Sequence, residues 1–453
     1  PAEPERALEG CRGESRPCGP TSGRGWTGPR RGSAPRREGA IGKVDALFAK
    51  EVLPNGLVIL TERMPYVRSV AIGLWVKVGS RYERAEYAGV SHFIEHLLFK
   101  GTESRSAEDI ARAIDSVGGT LDAFTSRENT CFYAKVLGEH LPLAVDLLSD
   151  LLLHPRLDAE DVEKERRVVL EEIKMVEDDP DDLIHDLFAQ QVWRDHPLGR
   201  PILGSRESLQ AITRQAVVDQ LRDFYQPDRV IVAAAGDLEH ARVVELIRAA
   251  LGDWAGRSAP TNGGSPVCYH TVHHEERDSA QLHLVLGAEG LPYNHRHRYA
   301  FFLQNAILGS SMSSRLFQEI REKRGLAYSI YSYQASYQDS GLMAVYAGTS
   351  AESFPQVVDL IRAEFARLRN EPVDLDEFQR AKEQLKGNLL LGLEGTSSRM
   401  TRLAKAEIYF QRYFDLDEII RGIDEVSPDT FADLNRSLLA PERYALTTIG
   451  HLA

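Results

Sequence analysis

His92, Glu95 and His96 are the residues of this chain whose types and spacing are best suited to chemistry. No Pro or Gly interrupts the run from Val90 to Lys100, and Ile94, Leu97 and Leu98 supply an apolar face, so the pattern predicts a short buried helix closed by Gly101. On that helix His92 and His96 lie one turn apart with their imidazoles pointing the same way, and Glu95 sits at the edge of the same face. A catalytic zinc takes three protein ligands, leaves a position for water and lowers the pKa of that water toward neutrality. A carboxylate beside the water can then take its proton. An isolated pair of histidines at helical spacing is more often packed or solvated than ligating, and it is Glu95 that shifts the balance.

The order H-x-x-E-H inverts the commoner H-E-x-x-H and is a signature of the inverzincin metallopeptidases. Two histidines do not complete a site, so a further carboxylate or histidine is expected on another helix. The stretch Asp158 to Val176 predicts that helix, with Asp158 as its N-cap and no breaker before Pro180. Glu165 and Glu172, seven residues apart, share one of its faces, although an acidic helical face is commonly just solvated.

Two stretches together, His92 to Thr102 (HFIEHLLFKGT) and Glu165 to Ile173 (ERRVVLEEI), resemble the pitrilysin or insulinase family of zinc peptidases. Within it they are most similar to the bacterial and mitochondrial processing-peptidase-like branch. The resemblance runs from about Val44 to the C-terminus. It implies Zn2+, one per chain, on His92, His96 and Glu172, with Glu95 as general base and Glu165 supporting the site; Glu171 is not the matching position. It also implies an α+β fold. In that implied fold two homologous α/β sandwich domains, each a mostly antiparallel sheet with helices on one face, would be joined by a linker and form half of a clamshell chamber.

A chain of 453 residues suffices for two or three domains, and 43% hydrophobic with 27% charged residues is an ordinary globular composition. The net charge of −13 argues against a general nucleic-acid binder. No apolar run approaches the about 18 residues of a membrane span. Cys11, Cys18, Cys131 and Cys268 are too scattered for a disulfide framework, which suits a reducing bacterial cytoplasm, with the mitochondrial matrix as the alternative. The first residue is Pro, so the natural start is expected to differ from residue 1.

Residues 1–42 hold 9 Gly, 6 Pro, 8 Arg and 5 Glu with hardly any large aliphatic side chain, and are expected to be a disordered tail. A transit peptide is the sharper alternative, opposed by the acidic residues and helix breakers. Removing 1–42 is expected to change neither the melting temperature nor peptide cleavage, because the tail has no core to contribute; a large drop in either would show that it folds or docks.

Beyond the tail, an N-terminal zinc-binding domain is expected over 43–255, a linker rich in Gly, Ser and Pro over 256–267, and a C-terminal domain of the same fold without the metal motif over 268–453. A hairpin is predicted around Pro54-Asn55-Gly56, a strand over 70–78, a capped helix from Ser106, and two strands either side of Ser126 to Asn129. In the family the first of these two carries the edge on which substrate is laid, and Asp122, Ala123 and Phe124 are the matching positions. The residues alone are equally consistent with an internal strand. His270, His273 and His274 open a strand with no ligand set around them and are expected to be solvated.

The run Leu308 to Ile330 resembles the family's second signature, in which an Arg and a Tyr seven apart, here Arg321 and Tyr328, stabilise the developing oxyanion. The glycine-rich loop of the non-catalytic processing-peptidase subunit is absent, since only Gly309 precedes the serines. The resemblance therefore implies a metalloendopeptidase acting on peptides or unfolded, presequence-like segments. A catalytically silent scaffold subunit on the same fold is the alternative, and the presence of every site position speaks against it. Zinc-bearing and Arg/Tyr-bearing halves in one chain imply a homodimer, or a heterodimer with a related subunit, in which each zinc is completed by the partner.

Overall fold

The computed structural model describes residues 47–260 and 264–452; the expected tail at 1–42 lies outside the described residues. Alternating patterns in both halves build sheets of the same topology. The first sheet comprises β1 (Phe48–Val52), β2 (Val58–Arg63), β3 (Ser69–Val76), β4 (Thr120–Thr125), β5 (Thr130–Leu137) and β6 (Val230–Gly236), in the order β1-β2-β6-β3-β5-β4. The second comprises β7 (Val272–Glu275), β8 (Leu282–Glu289), β9 (Ala327–Ser336), β10 (Gly341–Thr349) and β11 (Ala445–Ile449), in the order β7-β11-β8-β10-β9. Without the extra hairpin strand β1, the two orders superimpose strand for strand. Even the single parallel pair recurs, β2 with β6 and β7 with β11, while all other pairs are antiparallel. In this correspondence β4 and β9 are equivalent edge strands, each paired on one side only.

Each sheet buries one face under helices of its own half. Its other face receives a helix from the opposite half. Ile184, Phe188 and Val192 of the Pro180–Val192 helix pack on Val285, Ala344, Tyr346 and Ile449 of the second sheet. Reciprocally, Met400, Leu403 and Ala404 of the Thr396–Phe410 helix pack on Ala71, Trp75, Ala233 and Ala235 of the first. The small residues on that face let the helix approach closely: a Cβ on Gly73 would come within 3.0 Å of Met400 Sδ. At its margin the fully buried Glu62 of β2 is paired with Arg399 and, at 3.0 Å, with Arg402. This exchange makes Ala46–Ala453 a single compact unit despite its two sheets.

Ser258 and Ala259 of the expected linker are tied down rather than free. Ser258 N–H and Oγ donate to the Asp228 carboxylate at 3.1 and 2.8 Å, and Ala259 N–H donates to Asp223 O at 2.7 Å. No helix among the described residues is long and apolar enough to cross a membrane.

Candidate metal centre and peptide edge

The motif helix spans Val90–Leu98, as its uninterrupted apolar spacing predicts, and Val90, Phe93, Ile94, Leu97 and Leu98 are buried in the first core. Its N-terminus has no Ser, Thr or Asp cap. Gly89 occupies that position at φ +94°, where an added Cβ would also meet Leu203 O at 2.4 Å. The exposed N–H groups are satisfied from the preceding loop: the buried Glu83 carboxylate accepts from Gly89 N–H at 2.6 Å and Ser91 N–H at 2.7 Å. Burial pushes the Glu83 carboxyl up to about 7, while the N–H donors of Ser91 and Gly89 pull it the other way.

The other ligand-bearing helix, Ala159–Asp178, crosses the first with Glu165 and Glu172 facing it. Asp158 stands at its N-cap position, but its carboxylate pairs with Arg156 Nε at 2.5 Å instead of capping. Glu172 Oε2 lies 3.7 Å from His92 Nε2, and Glu172 Oε1 lies 3.6 Å from His96 Nε2. Metal–ligand bonds of 2.0–2.1 Å at tetrahedral angles place ligand atoms roughly 3.3–3.4 Å apart, so the three side chains fit a zinc ion with little movement. Among the described residues this is the one group of three or more such side chains that could hold a metal. Glu171, its neighbour, is on the surface and paired with Lys174 at 2.5 Å.

His96 Nδ1 lies 3.1 Å from Glu165 Oε2, and Lys100 Nζ sits 2.9 Å from Glu165 Oε1. A proton on Nδ1 donated to the buried Glu165 leaves the Nε2 lone pair for a metal and fixes the ring. Burial, with His96 as a secondary cause, lowers the His92 pKa to about 3, so its imidazole is neutral and ready to ligate at physiological pH. Its buried Nδ1 has no hydrogen-bond partner among the described residues.

Glu95 projects beside this triad and accepts a hydrogen bond from Thr125 Oγ1 at 2.6 Å. Burial holds its carboxyl above the ordinary range, against the opposing hydrogen bond from Thr125, which suits a group that must accept a proton. Thr125 ends β4, and β4 is an edge strand, which the sequence alone leaves undecided. Asp122, Ala123 and Phe124 therefore lie on an open strand edge that runs toward Glu95. Asp122 Oδ1 accepts from Ala123 N–H at 2.8 Å, and Tyr133 Oη donates to Asp122 Oδ2 at 3.2 Å.

Arg321 and Tyr328 are brought together with each other. Arg321 is on a π-helical turn (Phe317–Glu322), with its guanidinium carbon 5.3 Å from the Tyr328 ring centroid, and Tyr328 is 77% exposed at the start of β9. No hydrogen bond or ion pair among the described residues joins either to the motif helix or to Glu172. His274 bonds to Thr448 Oγ1 at 2.9 Å and to Glu276 at 3.0 Å and belongs to no metal group among the described residues. Glu83 and Thr125 are site residues that sequence reasoning misses. Strand alternation is a signal that could find Thr125, since it shares a face with Ala123, whereas nothing local marks Glu83.

An inverted H-x-x-E-H helix and a glutamate from a second helix, carried by one of two halves whose sheets share five strands in the same order, define a metallopeptidase type of centre. The family description "Insulinase (Peptidase family M16)" matches residues 58–206 and "Peptidase M16 inactive domain" matches 211–385. An uncharacterized zinc protease of Bacillus subtilis is 42% identical over 396 residues, 87% of this chain and 96% of that one. One from Streptomyces coelicolor is 43% identical over 411 residues, 89% of each. The crystal structure of a protease from Helicobacter pylori shares the fold, with TM-score 0.83 and 20% identity over 89% of this chain and 99% of that one. The chain belongs to peptidase family M16, the insulinase family.

Proposed function

We propose that the protein is a zinc-dependent metalloendopeptidase that hydrolyses peptides or unfolded, presequence-like segments within an enclosed chamber. The observation that carries this reading is the triangle of His92 Nε2, His96 Nε2 and the Glu172 carboxylate, with the Glu95 carboxylate beside it at the end of an open strand edge. In this reading His92, His96 and Glu172 hold the ion, and Glu165 orients His96. Zn2+, when bound, supplies Lewis acidity and makes water acidic near neutral pH. Glu95 accepts the proton of the attacking water. The peptide is laid along Asp122, Ala123 and Phe124 as an added strand, bound by main-chain hydrogen bonds that demand little of its sequence.

The division into repeats over 43–255 and 268–453, on either side of 256–267, is part of the same proposal, as is a cytoplasmic location, which the free thiols of Cys131 and Cys268 support. A mixed library of unfolded peptides incubated with zinc-loaded protein, with products read by mass spectrometry, tests the activity. Cuts at internal bonds up to a length limit are expected. A digest identical to that of chelated protein would refute the activity.

Arg321 and Tyr328 enter the proposal as oxyanion-stabilising groups given to the zinc of a partner protomer, in a homodimer with two shared sites. Support comes from the exposure of Tyr328 and from the lack, among the described residues, of any bond to the centre of its own chain. Glu95→Gln and Tyr328→Phe proteins, each nearly inactive, are expected to recover about a quarter of wild-type activity when refolded together in equal amounts. Half the dimers are then mixed, and half of their sites pair an intact base with an intact tyrosine. Mixed dimers that form and recover nothing would place the pair within its own chain.

A further inference from the structure

The pairing of β4 says which of its main-chain groups face the open side. Ser126 N–H donates to Asn129 O at 2.8 Å across the β4–β5 turn, so bonded pairs alternate back along the ladder through Phe124 with Cys131 and Asp122 with Tyr133. The N–H and C=O groups of Leu121, Ala123 and Thr125 therefore face away from β5. Side chains alternate as well. Phe124 meets Trp75 edge-on at 5.3 Å on the face covered by the Thr396–Phe410 helix, which sends Leu121, Ala123 and Thr125 to the face of the motif helix.

Both alternations converge on Thr125, whose main chain lies on the open edge and whose hydroxyl is, among the described residues, the only hydrogen-bond partner of the Glu95 carboxylate. The backbone just beyond it is clamped. Ser80 N–H donates to Ser126 O at 3.2 Å and Arg81 N–H to Arg127 O at 2.8 Å, an approach so close that a Cβ on Gly79 would lie 2.1 Å from Ser126 O. On the opposite strand Thr130 Oγ1 donates to Val78 O at 3.0 Å. A glutamate has three side-chain torsions to lose, and a donor mounted on so fixed a strand end removes that freedom before substrate arrives.

We infer that Thr125 is the positioning residue for Glu95, tying the base to the strand edge on which the peptide is laid so that one residue sets the distance between seated main chain and proton acceptor. The inference rests on the proposed peptidase reading and adds to it a residue and a coupling between binding and chemistry.

Thr125→Val keeps the β-branched shape and the main chain but cannot donate to Glu95. With zinc-loaded protein and an unfolded peptide, kcat is expected to fall about ten- to hundredfold, the worth of a hydrogen bond to a charged group. KM, zinc content and melting temperature are expected to match wild type, and Thr125→Ser, which restores the hydroxyl, is expected to bring kcat back. A Thr125→Val kcat within twofold of wild type overturns the inference. So does a loss that comes with a lower melting temperature or a raised KM and that serine does not reverse, because that would mark a merely structural threonine. A wild-type protein that binds zinc and cleaves shows that the peptidase reading stands whichever way these variants fall; one that does neither fails that reading and takes the inference with it.

Discussion

Glu95→Gln is expected to keep one zinc per chain and to lose turnover by about 10²–10⁴-fold, the usual contribution of a positioned general base. Glutamine is nearly isosteric and can still accept the Thr125 hydroxyl through its amide oxygen, so the helix and the ligands His92 and His96 should stay in place. What it cannot do is take a proton at neutral pH. The site favours that step in the native residue, since burial raises the affinity of the Glu95 carboxyl for a proton while Thr125 restrains the rise. Elemental analysis and a peptide assay on one preparation decide the matter. Loss of zinc in Glu95→Gln would make Glu95 a ligand, and retained turnover would remove it from the mechanism.

The second large effect is expected in a buried ion cluster that carries no metal ligand. Arg81, whose side chain is 5% exposed, donates to both oxygens of Asp339 at 2.7 Å and to Glu128 at 2.7 Å, and the Gln338 N–H reaches the same Glu128 carboxylate at 3.1 Å. These bonds join the β4–β5 turn of the first half to the β9–β10 turn of the second. Arg81→Ala would leave Glu128, 4% exposed, as an uncompensated buried charge and is expected to cost about 3–5 kcal/mol of stability. An Arg81→Met, Glu128→Gln, Asp339→Asn triple variant is expected to regain much of that loss, because the penalty comes from stranded charge more than from the worth of the pairs. Denaturant melts of the three proteins measure both. An Arg81→Ala midpoint equal to wild type would mean that water reaches the cluster and that the halves are held by their exchanged helices alone.

How far the site is legible in the sequence follows from the range of each interaction. The motif helix depends on spacing within a dozen residues, so helical periodicity alone places His92, Glu95 and His96 on one face. Glu172 lies on a second helix whose approach is a tertiary fact. Periodicity narrows the choice to an acidic face, and the family resemblance picks Glu172 over Glu171, which is paired with Lys174 at the surface. Whether β4 is an edge or an interior strand depends on sheet order, to which a six-residue pattern is blind. The apolar stripes of Pro180–Val192 and Thr396–Phe410 announce burial but not which sheet they cover, so the exchange of helices is not readable from them. Glu83 escapes because a glycine stands where a capping side chain is expected, and the carboxylate that takes over the capping comes from a loop several residues upstream. The predicted capping box at Ser106, by contrast, is local and present in full.

The most direct test of a zinc peptidase centre at His92, His96 and Glu172 is to measure metal content and cleavage of an unfolded peptide together, in wild type and in Glu172→Gln. One zinc per chain is expected in the wild type, with cleavage that stops on chelation and returns when zinc is restored, whereas Glu172→Gln should hold little zinc and cleave nothing. A wild-type chain that cleaves undiminished after its metal is removed, or a Glu172→Gln chain that keeps one zinc and full activity, would contradict the assignment.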